Sequence, residues 1–206
     1  MLRPDLFGKP DAMAGDVDEV DAARAQEYAL LAALLARAPD ADLLERLTGL
    51  RGDPSPLGLA HLALAEAAAA TNAQRIEREY FDVFIGIGRG EVLPYASYYL
   101  TGFLNERPLA RLRDDLARLG IERVEGNYEP EDHAATLCEI MAAIVSGRFP
   151  TPAGTDQQLF DKHLAPWIGR FFTDLERANA ADFYRHVGTL GRLFMDIETE
   201  AFALPL

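Results

Sequence analysis

Apolar residues recur along this chain at spacings of three and four, which is the period of an amphipathic α-helix. The clearest case is Ile76, Tyr80, Val83 and Phe84, which fall at i, i+4, i+7 and i+8 on one helical face and stop at Gly86. No stretch of the sequence alternates apolar and polar residues as a half-buried strand does. The pattern predicts an all-α fold of about nine helices in a single globular, bundle-like domain.

Capping residues and prolines predict where these helices begin. Pro166 is expected to kink or restart the eighth helix, because proline lacks the N–H that continues a helix. Val20 is placed in the apolar stripe of the first helix, and Ile197 is one of the apolar residues carried by the ninth helix. The predicted starts lie at Asp16 or Asp18, Asp40, Ser55-Pro56, Asn72, Pro94, Pro108, Pro130 and Thr155 or Asp156.

Proline and glycine also predict the domain organisation. Residues 1–16 hold two prolines, two glycines and few large apolar side chains, which is typical of a flexible N-terminal arm. Residues 17–206 then form the helical domain. The segment 147–155 is predicted to be a turn or hinge that permits helix exchange between subunits, so that monomer and homodimer both remain open.

The charge of the chain limits the classes of partner that it is expected to bind. A formal net charge of −13 repels the phosphates of nucleic acids and favours cationic partners. No run approaches the roughly 18 apolar residues of a membrane-spanning helix, so no integral membrane association is expected. The N-terminus lacks an export-signal pattern, which predicts a cytoplasmic protein.

The run Glu129-Pro130-Glu131-Asp132-His133 is the main candidate for chemistry. Its acids, at a helix start, complement the exposed N–H groups and the helix dipole without any further function. Alternatively, a carboxylate beside a histidine forms an acid–base pair, or a clamp for a guanidinium or ammonium group. Residues 121–140 contain six acids and one arginine, which favours a cationic ligand.

Other kinds of site are poorly supported by the sequence. The four histidines show no metal-ligand spacing, and no metal is expected. Ser97 lies among aromatic residues with no histidine nearby in the sequence, so a catalytic nucleophile is not indicated. The turn 86–90 follows a helix and lacks the lysine and hydroxyl residue of a phosphate-binding loop. The lone Cys138 is predicted to be a core residue.

Three segments together resemble the TorD/DmsD/NarJ family of cytoplasmic redox-enzyme maturation chaperones. The resemblance extends over about residues 20–200, with further matching residues around Phe160, His163, Trp167 and Phe183. The three segments are Tyr80-Phe81-Asp82-Val83-Phe84-Ile85-Gly86, Pro94-Tyr95-Ala96-Ser97-Tyr98-Tyr99 and Glu129-Pro130-Glu131-Asp132-His133.

The resemblance implies an all-helical, non-enzymatic chaperone. Such a protein binds the twin-arginine signal peptide of a molybdoenzyme precursor, of the dimethyl sulfoxide or trimethylamine oxide reductase or formate dehydrogenase class. It holds the apoenzyme until the molybdopterin-guanine dinucleotide is inserted and then releases it for export. The chaperone itself is expected to bind no permanent cofactor.

The resemblance also implies a peptide groove between the fourth, fifth and seventh helices. Tyr80 and Tyr95 replace tryptophans of some relatives, which leaves the client open. Acidic residues next to apolar ones suit an arginine pair beside an apolar run. The implied peptide-binding residues are Tyr80, Val83, Phe84, Pro94, Tyr95, Ser97, Glu131, Asp132 and His133, with Gly88, Arg89, His163 and Trp167 as secondary candidates.

Two alternatives remain at this stage. The glycine-rich turn around Gly88 and Arg89 is compatible with a weak guanine-nucleotide site, and therefore with a nucleotide-binding protein or hydrolase. A helical assembly subunit without a peptide groove is the other alternative, and it predicts a complex with a folded partner and none with a leader peptide.

Overall fold

The computed structural model describes residues 18–122 and 129–204, so the predicted arm at 1–16 lies outside the described residues. Within these two ranges the regular secondary structure consists of α-helices and two π-helical turns, and no strand is present. The only extended pairing in the described ranges is an isolated antiparallel bridge between Tyr95 and His133. The predicted all-α fold is confirmed.

Ten α-helices lie in the described residues, one more than the predicted nine, because the chain restarts a helix after Pro166. The two π-helical turns continue the fourth and eighth helices over Phe81–Ile85 and Phe160–Leu164. The α-helices are α1 Glu19–Ala36, α2 Ala41–Thr48, α3 Pro56–Ala69, α4 Ala73–Tyr80, α5 Ala96–Thr101, α6 Arg107–Arg118, α7 Ala134–Val145, α8 Thr155–Leu159, α9 Ile168–Arg177 and α10 Phe183–Ala203.

The predicted cap of α1 is confirmed at Asp18, whose carboxylate accepts a hydrogen bond from the Val20 N–H at 3.2 Å, and three further predicted helix starts carry N-caps. The side chains of Asp40, Ser55 and Asn72 each accept a hydrogen bond from the backbone N–H three residues further on. Each bond satisfies one of the donors that the first helical turn leaves without an intrahelical partner. These three helix starts are therefore set by local sequence, and each cap contributes about 1 kcal/mol.

The first of two compact units is made of the described residues of Met1–Ala33 and of Tyr95–Pro166. Its most buried helix is α7, where Leu137, Cys138 and Met141 are inaccessible to solvent. Arg24 of α1 reaches Asp156 of α8 at 3.1 Å. Burial of each large apolar side chain stabilises such a unit by about 1.5–3 kcal/mol.

The second unit is made of the described residues of Leu34–Pro94 and Trp167–Leu206. Its longest helix, α10, packs against α3, α4 and α9. The Tyr184 side chain is buried, and its hydroxyl donates to the backbone carbonyl of Leu34 at 3.1 Å. A buried tyrosine needs such a partner for its hydroxyl, so this contact fixes α10 against the end of α1.

Two proline positions do not begin helices as predicted. Pro130 precedes a turn, and α7 starts only at Ala134, with His133 as its N-cap. Pro94 precedes Tyr95, which remains extended at φ −126° and ψ 130°, so that α5 starts at Ala96. In both cases the bridge between Tyr95 and His133 keeps the chain extended before the helix begins.

The predicted cap of α8 is also wrong. Gly154 occupies the N-cap with a left-handed φ of 77°, and its lack of a side chain makes that conformation accessible. The Thr155 hydroxyl donates to the carbonyl of Pro152 at 2.6 Å, while Asp156 is paired with Arg24. Both side chains that were expected to cap the helix are therefore used elsewhere.

Two residues of the predicted apolar patterns are exposed to solvent. Val20 and Ile197 are 63% and 46% exposed. Val20 lies in the first turn of α1, whereas Ile197 lies within the C-terminal half of α10. No helix in the described residues is both long and apolar enough to cross a membrane. The hinge at 147–155 stays a prediction.

Candidate functional site

The residues predicted from the sequence divide between the two units. The fold positions each group through different helices, and each group is described within its own unit. Those of the first unit are Tyr95, Ser97, Glu131, Asp132, His133 and His163, and those of the second are Tyr80, Val83, Phe84, Gly88, Arg89, Pro94 and Trp167.

Asp132 ties the turn before α7 to the start of α5. Its carboxylate Oδ2 accepts a hydrogen bond from the backbone N–H of Ser97 at 2.8 Å, and its backbone carbonyl accepts from Ala96 at 3.0 Å. The N–H groups of the first turn of a helix have no intrahelical acceptor. Asp132 therefore caps α5, a helix that is distant in sequence, and not α7 as its position suggested.

Both side chains at this contact are buried. Asp132 is 1% exposed and Ser97 is fully buried. Within the described residues, the Asp132 Oδ1 and Ser97 Oγ atoms have no hydrogen-bond partner. A buried polar atom in this condition costs about 1–3 kcal/mol, so the Ser97 hydroxyl does not stabilise the fold by itself.

His133 is held as a neutral ring. Its Nδ1 accepts a hydrogen bond from the backbone N–H of Ala135 at 3.1 Å, which assigns the ring hydrogen to Nε2. Burial lowers the pKa of His133, and this outweighs the opposite effects of Glu129 and Asp132. The imidazole therefore does not neutralise the carboxylates beside it at neutral pH.

Tyr95 and Glu129 form the exposed side of this cluster. The Tyr95 hydroxyl donates to the Glu129 Oε1 at 2.5 Å, and the Tyr95 ring meets the His133 ring edge-on at 5.1 Å between centroids. Glu129 was not among the predicted site residues. It lies within the acidic run that the sequence singles out, but no spacing in the sequence indicates that a tyrosine 34 positions away reaches it.

Glu131 is engaged in an ion pair. Its Oε2 lies 2.9 Å from the Arg113 Nε, and the Glu131 side chain is only 16% exposed. The bond attaches the turn before α7 to α6. The charge of Glu131 is thus largely compensated within the first unit.

His163 lines a half-open pocket of about 330 Å³ between α5, α6 and the second π-helical turn, within the first unit. Its Nε2 lies 2.9 Å from the Asp115 Oδ2. The hydrogen bond from His163 lowers the pKa of Asp115, and the charges of Lys162 and Arg118 act in the same direction. Because Asp114 and Asp132 also line the pocket beside Arg111, its charges are mixed and favour neither cations nor anions.

In the second unit, the predicted groove residues belong to an aromatic cluster. The Tyr80 ring lies 4.9 Å from the Phe84 ring and 5.8 Å from the Tyr184 ring, and Phe84 lies 5.0 Å from Tyr184. The Tyr80 hydroxyl donates to the Leu35 carbonyl at 3.2 Å. Tyr80 is half-buried, whereas Val83 and Phe84 are buried.

The glycine-rich turn folds back onto the π-helical turn that precedes it. Gly86 and Gly88 adopt left-handed φ values of 61° and 90°. The N–H of Val92 donates to the Val83 carbonyl at 2.9 Å, which closes the turn. Ile87, at its tip, is 99% exposed.

The other residues considered from the sequence, Trp167, Pro94 and Cys138, are buried and expose little surface to a ligand. Trp167 is buried, with its ring 5.9 Å from that of Phe171, and Pro94 is also buried. Burial raises the pKa of the Cys138 thiol to about 12, so it stays protonated and is a poor nucleophile. Among the described residues, no group of three or more His, Cys, Asp or Glu side chains is placed to hold a metal ion.

The family model described as nitrate reductase delta subunit matches residues 51–173, which include most of both clusters. The chain belongs to this family. The resemblance of its aromatic and acidic segments to the TorD/DmsD/NarJ chaperones is thereby confirmed.

Several relatives carry the name chaperone protein TorD. The protein of Vibrio cholerae is 26% identical over 174 residues, which cover 78% of this chain and 79% of that protein. The protein of Shewanella loihica is 23% identical over 90% of this chain and 96% of its own length. The match to the protein of Vibrio atlanticus, at 23% identity, spans 62% of this chain and 64% of that protein.

A solved structure shares the fold. The crystal structure of a protein from Archaeoglobus fulgidus, described as a redox enzyme maturation protein, superposes with a TM-score of 0.54 over 96% of this chain and 99% of that chain. The two sequences are 20% identical. The all-helical architecture is therefore one that a solved protein adopts.

Proposed function

We propose that this protein is a cytoplasmic, non-enzymatic chaperone for redox-enzyme maturation. It binds the twin-arginine leader or the apo form of a molybdoenzyme and assists insertion of the molybdopterin cofactor before export. Family membership and similarity to proteins named chaperone protein TorD support the chaperone role. The leader, the client class and the cofactor step are the more detailed part of the proposal.

One observation supports leader binding above the others. An exposed carboxylate, Glu129, lies in direct hydrogen bond with an aromatic residue, Tyr95, which itself contacts the neutral ring of His133. A guanidinium group forms strong hydrogen bonds with a carboxylate, and it also stacks on aromatic faces. An acidic group directly beside an aromatic ring thus fits a peptide in which arginines adjoin apolar residues.

The net charge of the protein adds a long-range electrostatic attraction to the proposed leader binding. A net charge of −13 attracts a cationic leader and raises its rate of association at low salt. Because exposed charges are screened beyond about 8 Å at physiological ionic strength, leader binding is expected to weaken as salt is added. A purely apolar interaction would not weaken in this way.

Calorimetry with three synthetic peptides tests the proposal. The first contains an arginine pair followed by an apolar segment, and the second and third replace the pair by Lys-Lys and by Gln-Gln. We expect the Arg-Arg peptide to bind most tightly. Its affinity is expected to fall between 50 and 500 mM salt, because salt screens the attraction between its arginines and the carboxylates of the protein. Equal binding of all three peptides would contradict recognition of the arginine pair.

The role of the leader in the cell requires a separate measurement. The tagged protein is expressed with a molybdoenzyme precursor, and recovery of the precursor is compared with recovery of the same client lacking its leader. Recovery of the precursor alone supports leader binding. Equal recovery of both forms would retain the chaperone role but place the contact on the mature client, and recovery of neither would contradict both.

A further inference from the structure

We propose that two copies of this chain associate through the end of α5 and the turn before α6, with Phe103 of each copy in the half-open pocket of the other. The contact is isologous, so the same surface takes part in both copies. It does not depend on leader binding, and all the residues involved belong to the first unit.

Three large apolar side chains are exposed where α5 ends and the chain turns towards α6. Leu100 is 41% exposed, Phe103 is 70% exposed and Leu104 is 45% exposed. They belong to five consecutive residues and therefore lie close together. Grouped apolar side chains at a surface mark a site of protein interaction, whereas single exposed ones do not.

The turn that carries Phe103 has a defined backbone conformation. Asn105 adopts a left-handed φ of 59°, and it is the only residue other than glycine to do so in the described ranges. The Phe103 N–H donates a hydrogen bond to the Thr101 hydroxyl at 3.2 Å, and that hydroxyl donates to the Ser97 carbonyl at 2.8 Å. An exposed aromatic side chain on a backbone held in this way loses little entropy on binding, so Phe103 has the properties of an anchor for a protein partner.

The half-open pocket of about 330 Å³ begins beside this turn and has room for a phenyl ring. Leu100 lines it, and Pro108 and Leu112 extend its apolar wall. Arg111 and Arg118 also line it, and a guanidinium group is attracted to the face of an aromatic ring. An uncharged aromatic side chain therefore suits this pocket better than a free ion does.

The charges of the pocket favour a second copy over a cationic leader. They cancel, with His163 counted as neutral, although the whole chain carries a net charge of −13. A second copy is therefore not repelled at this surface, and a cationic peptide is not attracted to it. The charged residues that line the pocket are three bases, Arg111, Arg118 and Lys162, and three acids, Asp114, Asp115 and Asp132.

The anchor and the pocket lie close enough together for a two-fold contact. Phe103 is three residues from Leu100, which lines the pocket of the same copy. A two-fold axis beside Leu100 relates the two Phe103 rings and the two pockets, so that each ring can meet the pocket of the other copy. The charged side chains of α6 then surround an apolar centre, as in other protein interfaces.

Sedimentation velocity of the full chain at several concentrations tests the dimer. We expect the wild type to change from monomer to dimer between about 1 and 500 μM. F103A and L100Q, which alter the anchor and the pocket without changing the net charge, are each expected to weaken association at least about tenfold. The matched control I87A removes another apolar side chain, which is 99% exposed in the second unit, and is expected to alter association less than about twofold. Circular dichroism checks that each variant is folded.

A mixture of F103A and L100Q tests whether the side chain and the pocket come from different copies. The mixed dimer keeps one intact contact, Phe103 of the L100Q copy in the unaltered pocket of the F103A copy, whereas each variant alone keeps none. We expect the mixture to associate at least about threefold more tightly than either variant alone. A mixture that associates no better than its components would overturn the insertion of Phe103 into the pocket.

Other outcomes separate a second copy from other occupants of this surface. A wild type that stays monomeric at about 500 μM, or a dimer that F103A leaves unchanged, would overturn the proposal. A monomeric wild type whose binding of the Arg-Arg peptide is lost in F103A would assign the surface to the leader instead. Added salt is expected to strengthen the dimer, because it screens the repulsion between two copies of net charge −13, and weakening by salt would contradict the apolar contact.

Discussion

The Asp132 carboxylate accepts a hydrogen bond from the backbone N–H of Ser97 at 2.8 Å, although the two residues are 35 positions apart in the sequence. It thereby satisfies a donor in the first turn of α5, which is only six residues long. A helix of this length is not stable alone, because the conformational entropy lost in forming its first turn exceeds the stabilisation from its few hydrogen bonds. The position of α5, and of Tyr95 before it, therefore depends on Asp132.

Removal of this carboxylate is expected to destabilise the protein. D132A leaves the Ser97 N–H buried without an acceptor, and we expect the free energy of unfolding to fall by about 2–3 kcal/mol. D132N retains an oxygen that can accept the same bond, so a smaller loss of about 1 kcal/mol is expected. Urea unfolding followed by circular dichroism measures both values.

S97A is the matched control at the same contact. It removes the Ser97 Oγ, which has no partner within the described residues, and keeps the backbone N–H that Asp132 binds. Its stability is expected to lie within about 0.5 kcal/mol of the wild type or above it. A loss in S97A as large as that in D132A would show that the hydroxyl, and not the Asp132 bond, stabilises this turn.

The pH dependence of stability is expected to report on His133. Burial lowers its pKa below the ordinary value of 6.5, so the unfolded chain takes up a proton at a higher pH than the folded chain does. The stabilisation due to the neutral ring is therefore complete above pH 6.5 and is lost as the pH falls towards the lowered pKa. Urea unfolding at several pH values between 7.5 and 5.5 measures this loss.

H133N isolates the contribution of this one histidine. Asparagine is a favourable N-cap and keeps an acceptor for the Ala135 N–H, but it does not titrate. The difference in stability between the wild type and H133N is expected to change with pH, in favour of H133N as the pH falls. Parallel pH profiles of the two proteins would show that protonation of His133 does not affect stability.

In the second unit, Glu79 caps α10 from another helix. Its Oε1 accepts hydrogen bonds from the backbone N–H groups of Asp182 at 2.8 Å and Tyr184 at 2.7 Å. E79A is expected to lower the free energy of unfolding by about 1–2 kcal/mol, and E79Q by about half as much. The neighbour Glu77 on the same helix is exposed, so E77A is expected to stay within about 0.5 kcal/mol. Equal effects of E79A and E77A would contradict the capping role.

Substitution by alanine is expected to lower the stability of the protein more at Gly90 than at Gly88, two glycines of the turn 86–90. A Cβ added at Gly90 would lie 2.3 Å from the backbone carbon of Phe84, whereas one added at Gly88 meets no atom within 4 Å. G90A is therefore expected to cost at least about 2 kcal/mol of stability, and G88A, at φ 90°, only about 1 kcal/mol for its strained backbone. Thermal unfolding of both variants measures the difference, and a G90A protein as stable as G88A would contradict the close approach.

G88A also tests the guanine-nucleotide alternative. Because this substitution is expected to leave the protein folded, a loss of guanine-nucleotide binding in G88A would assign a nucleotide to the turn. We expect binding of the Arg-Arg peptide to G88A to remain within about twofold of the wild type. Loss of peptide binding together with retained stability would instead place the glycine turn in the peptide site.

The secondary structure follows mainly from local sequence. The N-caps at Asp40, Ser55 and Asn72 and the restart after Pro166 act over one helical turn, and each was predicted. Such features depend on backbone donors and side chains only a few residues apart. The family resemblance was likewise carried by short segments, and the family model confirms it.

Only the tertiary structure decided which contacts each residue makes within those segments. Asp132 was expected at the start of its own helix, but it caps α5, and Glu129 was left out although it meets Tyr95. Both contacts join residues more than 30 positions apart, and sequence periodicity carries no information at that range. The sequence thus determined an all-helical member of this family with an acidic run beside aromatic residues. Only packing decided which acid is buried to hold a helix and which is exposed, because burial depends on elements that are brought together from distant parts of the chain.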